Sequence, residues 1–338
     1  GTPDTTVPSL WNGDIQWFTP TEVGHQKYVS KSARTITQLG LQKSSAKKLP
    51  AGSILLSSRA TIGECSIAQR ECTTNQGFQN LIPKNDTNNE FLYYLAQTKK
   101  HHFIKYASGS TFLEISNSEI RKTKCTVPGT EEQTQIAAFL SALDDRISVQ
   151  NKIISKYETL IKGLCNMIFR HNKSVSLSDL VKCKTSALQE NMVSTCHRGE
   201  YKVLGASGAI AAIDTYQFEE NGILVLKDGS KAGKIQFAEG KYSVIGTSVV
   251  LIPNEACDAR YLYFAMSSID FEKYKVGSGI PHIYFKDYSN ERIYYPEKSL
   301  RKRITEALDA YDIKLGIEKE MLSALQKQKA FLIKSMFI

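Results

Sequence analysis

Gly52-Ser53-Ile54-Leu55-Leu56, Leu81-Ile82-Pro83 and Phe91-Leu92-Tyr93-Tyr94 return 170 residues later as Gly222-Ile223-Leu224-Val225-Leu226, Leu251-Ile252-Pro253 and Tyr261-Leu262-Tyr263-Phe264. In the same register Gly63 falls on Gly233, and Lys105, Ser108 and Gly109 fall on Lys275, Ser278 and Gly279. The offset then becomes 168, where Pro128 meets Pro296 and Ile136 meets Ile304. A register held over several separate segments is an internal repeat, and it fixes the organisation before any single element is assigned. Length agrees, since 338 residues correspond to about two domains. Each half is one globular block followed by one tail, closing on Met167-Ile168-Phe169 and Met336-Phe337-Ile338.

Within each block, Gly52–Ser57 and Gly222–Lys227 are short apolar runs opening after a glycine. Leu81–Pro83 and Val249–Pro253 are apolar runs closed by proline. Both patterns predict strands. Phe91–Gln97 and Arg260–Ser267 predict short helices. The fold class is therefore α/β, with two pseudo-repeated α/β blocks.

The tails predict long helices. No proline occurs between Pro128 and Pro253, and Thr130 with Gln133 has the capping-box spacing. Positions 136, 140, 143, 147, 150, 154, 157, 161, 164 and 168 hold Ile, Leu, Leu, Ile, Gln, Ile, Tyr, Ile, Leu and Ile. Steps of four and three make a heptad seam. The second tail repeats it as Ile304, Leu308, Tyr311, Leu315, Glu318, Leu322, Leu325, Lys329, Leu332 and Met336, with Glu318 echoing the polar Gln150. Two such seams can pair with each other, most simply antiparallel, in which case the blocks stand at opposite ends and the helix length sets their spacing. The alternative is that each helix packs on its own block. The expected boundaries are a block at 1–129, a helix at 130–169, a block at 170–297 and a helix at 298–338.

The chain carries a formal charge of +9, unevenly spread. Residues 1–130 hold 15 basic and 9 acidic side chains, whereas residues 170–298 hold 16 and 15. A basic block permits a polyanionic partner. The apolar and charged fractions, 41% and 23%, suit a folded chain, and no run of about 18 apolar residues could span a bilayer. The first ten residues lack the pattern of a signal peptide. Seven scattered cysteines without Cys-x-x-Cys argue against a zinc site or disulfide framework and point to a reducing cytoplasm.

Two similar but unequal blocks on a helical spacer imitate, in one chain, a two-fold dimer reading two half-sites of DNA. Unequal blocks imply an asymmetric, bipartite target. Three segments carry a resemblance to a known family: Leu49-Pro-Ala-Gly-Ser-Ile-Leu-Leu-Ser-Ser-Arg-Ala-Thr-Ile-Gly63, Thr73-Thr-Asn-Gln-Gly-Phe78 and Glu131-Glu-Gln-Thr-Gln-Ile-Ala-Ala-Phe-Leu140. With Gly1-Thr-Pro-Asp4 and Trp11-Asn-Gly-Asp-Ile-Gln-Trp17, they closely resemble the specificity subunit of type I restriction-modification systems. The resemblance covers nearly the whole chain. It implies two target-recognition domains and an antiparallel coiled coil. It further implies binding to double-stranded DNA beside two modification (methyltransferase) subunits and, for restriction, motor-endonuclease subunits. One departure stands out. Ser176-Leu-Ser-Asp-Leu-Val-Lys182 opens the second block, and the family also carries such a segment before its first domain, so a short segment ahead of Gly1 is expected to be missing.

No catalytic or metal site is expected, and no cofactor. There is no Pro-Pro, which an amino-methyltransferase loop needs. Gly229-Ser-Lys-Ala-Gly-Lys234 is one residue short of a phosphate loop, and Ile235 stands where Ser or Thr must reach magnesium. The six histidines show no ligand spacing. The competing classes are an enzyme with an unrecognised site and a DNA-free structural adaptor. Candidate DNA-binding residues follow from the needs of the two kinds of contact, cations for phosphates and amides or hydroxyls for base edges. In the first block they are Arg59 and Thr61 after the strand, Asn75 and Gln76, and Lys105, Ser108, Ser110 and Thr111 in a Gly-bearing loop. In the second they are Lys227, Lys231 and Lys234, then Lys275, Ser278, His282 and Lys286. For Asn75 and Gln76 the equal alternative is a turn that consumes its own amides.

Overall fold

The structure, a computed structural model, describes residues 1–337 except 110–112, 171–173, 194, 195, 197, 256, 257 and 278. The chain divides into two compact units, residues 1–150 with 321–338, and residues 151–320. Each unit therefore owns one α/β block and one half of each long helix. The divisions fall beside Gln150 and Glu318, the polar interruptions of the two seams.

In unit 1 the elements run β1 (Trp11–Phe18), β2 (Tyr28–Val29), β3 (Arg34–Ile36), α1 (Gln38–Gln42), β4 (Ile54–Leu56), β5 (Cys65–Ala68), β6 (Thr73–Thr74), α2 (Asn89–Thr98), α3 (Lys100–Lys105), α4 (Asn117–Lys122) and then α5 (Thr130–Phe169). They form two three-stranded sheets, β3-β1-β6 and β2-β5-β4. Helix α2 starts where Asn88 accepts from the backbone N–H groups of Glu90 and Phe91, a side-chain cap. Its apolar face then buries Tyr94 and Ala96 against Ile54, Leu56 and Ile67 of β4 and β5.

Unit 2 continues with β7 (Val175–Ser176), α6 (Leu177–Leu180), β8 (Val181–Thr185), α7 (Glu190–Val193), β9 (Tyr201–Gly205), β10 (Gly208–Ile213), β11 (Gly222–Leu226), β12 (Ile235–Ala238), β13 (Tyr242–Val244) and β14 (Ser248–Pro253). After these come α8 (Ala259–Met266), α9 (Phe285–Tyr288), β15 (Arg292–Ile293) and α10 (Lys298–Met336). The sheets are β12-β11-β14-β8, β10-β9-β13 and β15-β7. The repeat is visible in the pairing. Strand β13 runs parallel to β9 as β6 does to β1, and β12 pairs antiparallel to β11 as β5 does to β4.

Three expectations need correction. Leu81–Pro83 is not a strand: Leu81 makes a single bridge to Ile54, and Ile82 is 55% exposed. Its counterpart β14 is held on both sides, by β11 and β8, and buries all six residues. Among the described residues of unit 1, no strand pairs with Leu81 on the side away from Ile54. Nor does Thr130 form the capping box. It is already the first helical residue, and Gln133 turns inward instead. Finally, Tyr311 lies outside the seam at 39% exposure. Asp309 and Asp312, on either side of it in sequence, lie 2.5 and 2.9 Å from Arg260 of α8, while the seam neighbours Leu308 and Leu315 stay buried.

The remaining seam positions are buried or half-buried. Within unit 1, Asp144 of α5 meets Lys329 of α10, and Ile136 and Phe337 pack in one cluster, so residue numbers rise on one helix as they fall on the other. Within unit 2, Glu158 meets Lys319 at 2.8 Å, and Leu308 joins Leu164, Cys165 and Ile168. The helix halves are thus antiparallel in both units. They also pack on their own blocks, so the two alternatives left by the sequence hold together.

Each long helix is pinned to its block by a buried polar side chain at an equivalent position. In unit 1, Gln133 (2% exposed) donates to the carbonyls of Asp86 and Pro128 and accepts from the N–H of Asn88. In unit 2, Arg301 (7% exposed) donates to both carboxylate oxygens of Asp258, at 2.9 and 3.0 Å, and to the carbonyl of Pro296. Breaking a buried ion pair leaves an uncompensated charge, whereas losing an amide leaves neutral groups unsatisfied. Asp258→Ala is therefore expected to cost about 3–5 kcal/mol and Gln133→Ala about 1–3 kcal/mol, as measured by urea unfolding of the full chain. Equal losses would show that the charge is not what pins unit 2.

Candidate nucleic-acid interface

In each unit one repeat-matched strand, β4 or β11, leads into a tight turn, and a second loop is tied to that turn through the backbone. In unit 1, β4 leads into residues 57–64. Here the Gly63 N–H donates to Ser57 and the Ser57 N–H to Glu64. The second loop closes where Ser108 and Glu114 exchange both backbone hydrogen bonds, and the Ile115 N–H then donates to Ser58. A third segment joins through the Ser58 N–H, which donates to the carbonyl of Gly77. Unit 2 repeats the plan. Gly233 donates to Leu226, Val276 and His282 exchange both bonds, Ile283 donates to Lys227, and Lys227 donates to Thr247.

Conformation explains why these turns need their residues. Gly63 and Gly233 have φ of +85° and +86°, and a Cβ on either would come under 3 Å from Lys100 or Phe271. Ala60 also adopts a left-handed φ, 56°, which is uncommon for a residue with a side chain. The turn is therefore shaped by close packing against the segment that precedes the loop.

Polar side chains latch turn to loop in both units, with the carboxylate on the loop in unit 1 and on the turn in unit 2. Arg59 of the turn pairs with Glu114 of the loop at 2.8 Å, and Asp228 of the turn lies 2.8 Å from Nδ1 of His282 in the loop. Sequence reading found Arg59 and His282 but missed Glu114 and Asp228, because the pairing is set by sequence-distant backbone bridges. Their positions beside a repeat-matched turn and loop were the available signal.

The other candidates divide by what they touch. Asn75 accepts from the N–H of Gly77 and is half-buried, so its amide oxygen serves the local turn. Gln76 is exposed and accepts from Thr2 at 2.6 Å. The Thr61 hydroxyl is within reach of Ser57 and Pro20. Lys105 and Ser108 are exposed. Lys231 is exposed and reaches Ser207 at 3.2 Å, Lys234 is exposed, and Lys227 is half-buried. Lys275 pairs with Glu272 at 2.6 Å, and Lys286 lies over the ring of Tyr284 at 5.7 Å. Ser110, Thr111 and Ser278 lie outside the described residues.

Burial pushes the Cys65 and Cys72 thiols up to about 12, so neither is a thiolate at neutral pH. Among the described residues no group of three or more His, Cys, Asp or Glu could hold a metal ion. The site offers donors, cations and a rigid backbone frame, the equipment for recognition.

The ion pair between Arg59 and Glu114 is largely solvated and should contribute at most about 1 kcal/mol. Glu114→Gln is therefore expected to leave unfolding stability nearly unchanged. Gly63→Ala, which meets both an unfavourable φ and a crowded Cβ, should destabilise by more than about 1 kcal/mol. The reverse ranking in urea unfolding would mean that charge, not backbone, holds the turn.

The type I restriction modification DNA specificity domain matches this chain twice, at residues 2–159 and 170–327. The MjaIX specificity subunit of Methanocaldococcus jannaschii is 41% identical over 162 residues, which are 46% of this chain and 38% of that protein. The HindI specificity subunit of Haemophilus influenzae is 26% identical over 168 residues, 47% of this chain and 36% of that protein. These matches thus span well under half of either relative. The EcoprrI specificity subunit of Escherichia coli is 20% identical over 337 residues, covering 92% of this chain and 84% of that protein. In fold, the chain is similar to the S subunit of a type I system from M. genitalium, with a TM-score of 0.61, 17% identity, and coverage of 98% and 94%. With that domain matched twice along its length, the protein belongs to the type I restriction-modification DNA specificity family.

Proposed function

We propose that this chain is a DNA-recognition subunit of a type I restriction-modification complex. Residues 1–129 and 170–297 would each be a target-recognition domain reading one half of an asymmetric, bipartite site. The observation that carries the reading is the repeated turn-and-loop frame with unlike side chains. A shared backbone frame favours a shared docking mode on the duplex, while Arg59 and Glu114 against Asp228 and His282 present different groups to the bases. The specificity subunits to which the chain is similar support the same conclusion.

Partner subunits fit the helices. Beyond the seam, α10 exposes Ile313, Ile317, Met321 and Phe331, and α5 exposes Val149, Leu160 and Met167. Exposed apolar side chains at helical spacing mark surface that another protein covers. We assign it to methyltransferase subunits, two of them in keeping with the repeat, with motor-endonuclease subunits joining for restriction. Methyl transfer and cleavage belong to those partners. No described helix is long and apolar enough to cross a membrane. The cytoplasm, where host DNA is methylated, is the expected location.

Exchange of residues 170–297 for the corresponding block of another family member tests the reading. One half of the methylated motif should change and the other should stay. A change in both halves, or in neither, would contradict two independent readers. Purified chain with S-adenosylmethionine and DNA should transfer no methyl groups until the methyltransferase subunit is added, and transfer proportional to the chain alone would contradict the division of labour.

A further inference from the structure

The two units place their positive charge at different points of the same frame. The segment entering the loop of unit 1 reads Lys99-Lys100-His101-His102-Phe103-Ile104-Lys105, and its equivalent in unit 2 reads Ile269-Asp270-Phe271-Glu272-Lys273-Tyr274-Lys275. The first has three lysines and no carboxylate. The second has two lysines against two carboxylates. Pairing widens the contrast. Lys273 is paired with Glu291 and Lys275 with Glu272, whereas among the described residues no carboxylate pairs with Lys99 or Lys105. Lys100 alone is engaged in unit 1, by Glu64.

The turn after β4 or β11 shows the opposite arrangement. In unit 1 its cation, Arg59, is held by Glu114. In unit 2 the turn carries Lys227, Lys231 and Lys234, and no described carboxylate pairs with any of them. Helix α3 is close enough to serve the same surface. Gly63 of the turn packs against Lys100, and α3 ends three residues before the bridge of Ser108 to Glu114. The end of α3 is braced by His102, which lies 4.6 Å from the ring of Tyr106, and by Lys105 over that ring at 5.6 Å.

Resting on the functional reading above, we propose that unit 1 grips the DNA phosphate backbone through the two ends of α3, with Lys99 at its N-cap and Lys105 in its last turn as phosphate ligands. Unit 2 grips it through the β11–β12 turn, with Lys227, Lys231 and Lys234. Such contacts position the protein without carrying sequence information. Lys275 is spent on Glu272 and is not a phosphate ligand, although it stands at the repeat position of Lys105.

The test is the salt dependence of binding by the full chain assembled with its methyltransferase subunit, on duplex DNA bearing its methylated motif. Each phosphate contact contributes about 0.9 to the slope of log affinity against log salt. The double variant Lys99→Gln, Lys105→Gln should lower that slope by about 1.8, for specific and unrelated duplexes alike, with the methylated motif unchanged. Lys227→Gln, Lys231→Gln, Lys234→Gln should lower it as well, and Lys273→Gln, Lys275→Gln should leave it as in the wild type. An unchanged slope in the α3 variant, an equal loss in the Lys273 and Lys275 variant, or an altered motif would overturn the proposal alone. A wild-type complex with no preference for a bipartite site would overturn the functional reading and this proposal with it.

Discussion

Gln133 and Arg301 stand at equivalent turns of two helices, and each reaches out of its helix to tie down the segment that starts α2 or α8. The first uses an amide and three neutral partners, the second a guanidinium and a carboxylate. Everything else in a unit is referred to that joint. It sets where the long helix leaves the block, and the apolar faces of α2 and α8 can then close against both the sheet and the helix. A second pair of contacts repeats the theme with the charge reversed. Glu90 in unit 1 accepts from Tyr28, Ser141 and Lys27, while Arg260 in unit 2 donates to Asp309 and Asp312. Burial alone would raise the Glu90 carboxyl, but these hydrogen bonds together hold it below the usual carboxylate range. The two joints are alike in geometry and unlike in chemistry.

That combination explains how the units can keep one frame and present different surfaces. Backbone hydrogen bonds between turn and loop are the same in both, and they do not depend on side-chain identity. Side chains at the rim are then free to diverge. Arg59 opposite Glu114 and Asp228 opposite His282 are alternative occupants of one latch. Under the proposed function, such a unit can change what it contacts without changing how it folds, because the latch side chains and the backbone frame are different atoms.

The repeat, the strands β4 and β11, the helices α2 and α8 and most of the seam were legible because each depends on short-range pattern. What escaped depends on sequence-distant partners. Leu81–Pro83 reads like Leu251–Pro253, yet only the latter has β8 beside it. Gln133 has capping spacing, but its amide answers to Asp86 and Asn88, more than forty residues away. Tyr311 sits on the heptad but is exposed, beside aspartates that pair with Arg260, a partner some fifty residues away in sequence. At the candidate interface, Lys275 matched Lys105 by repeat, and only the structure reveals the glutamate that occupies it. Glu114 and Asp228 went unnoticed because a carboxylate is not sought as a phosphate contact, and its arginine or imidazole partner is distant in sequence.

The central claim is that one chain carries two independent readers. Sequencing of methylated bases in the genome of a host that carries this chain with its methyltransferase subunit tests it most directly. The account predicts an asymmetric motif of two specified blocks separated by a gap of fixed length and free sequence. A single contiguous motif, or two identical half-sites, would contradict it.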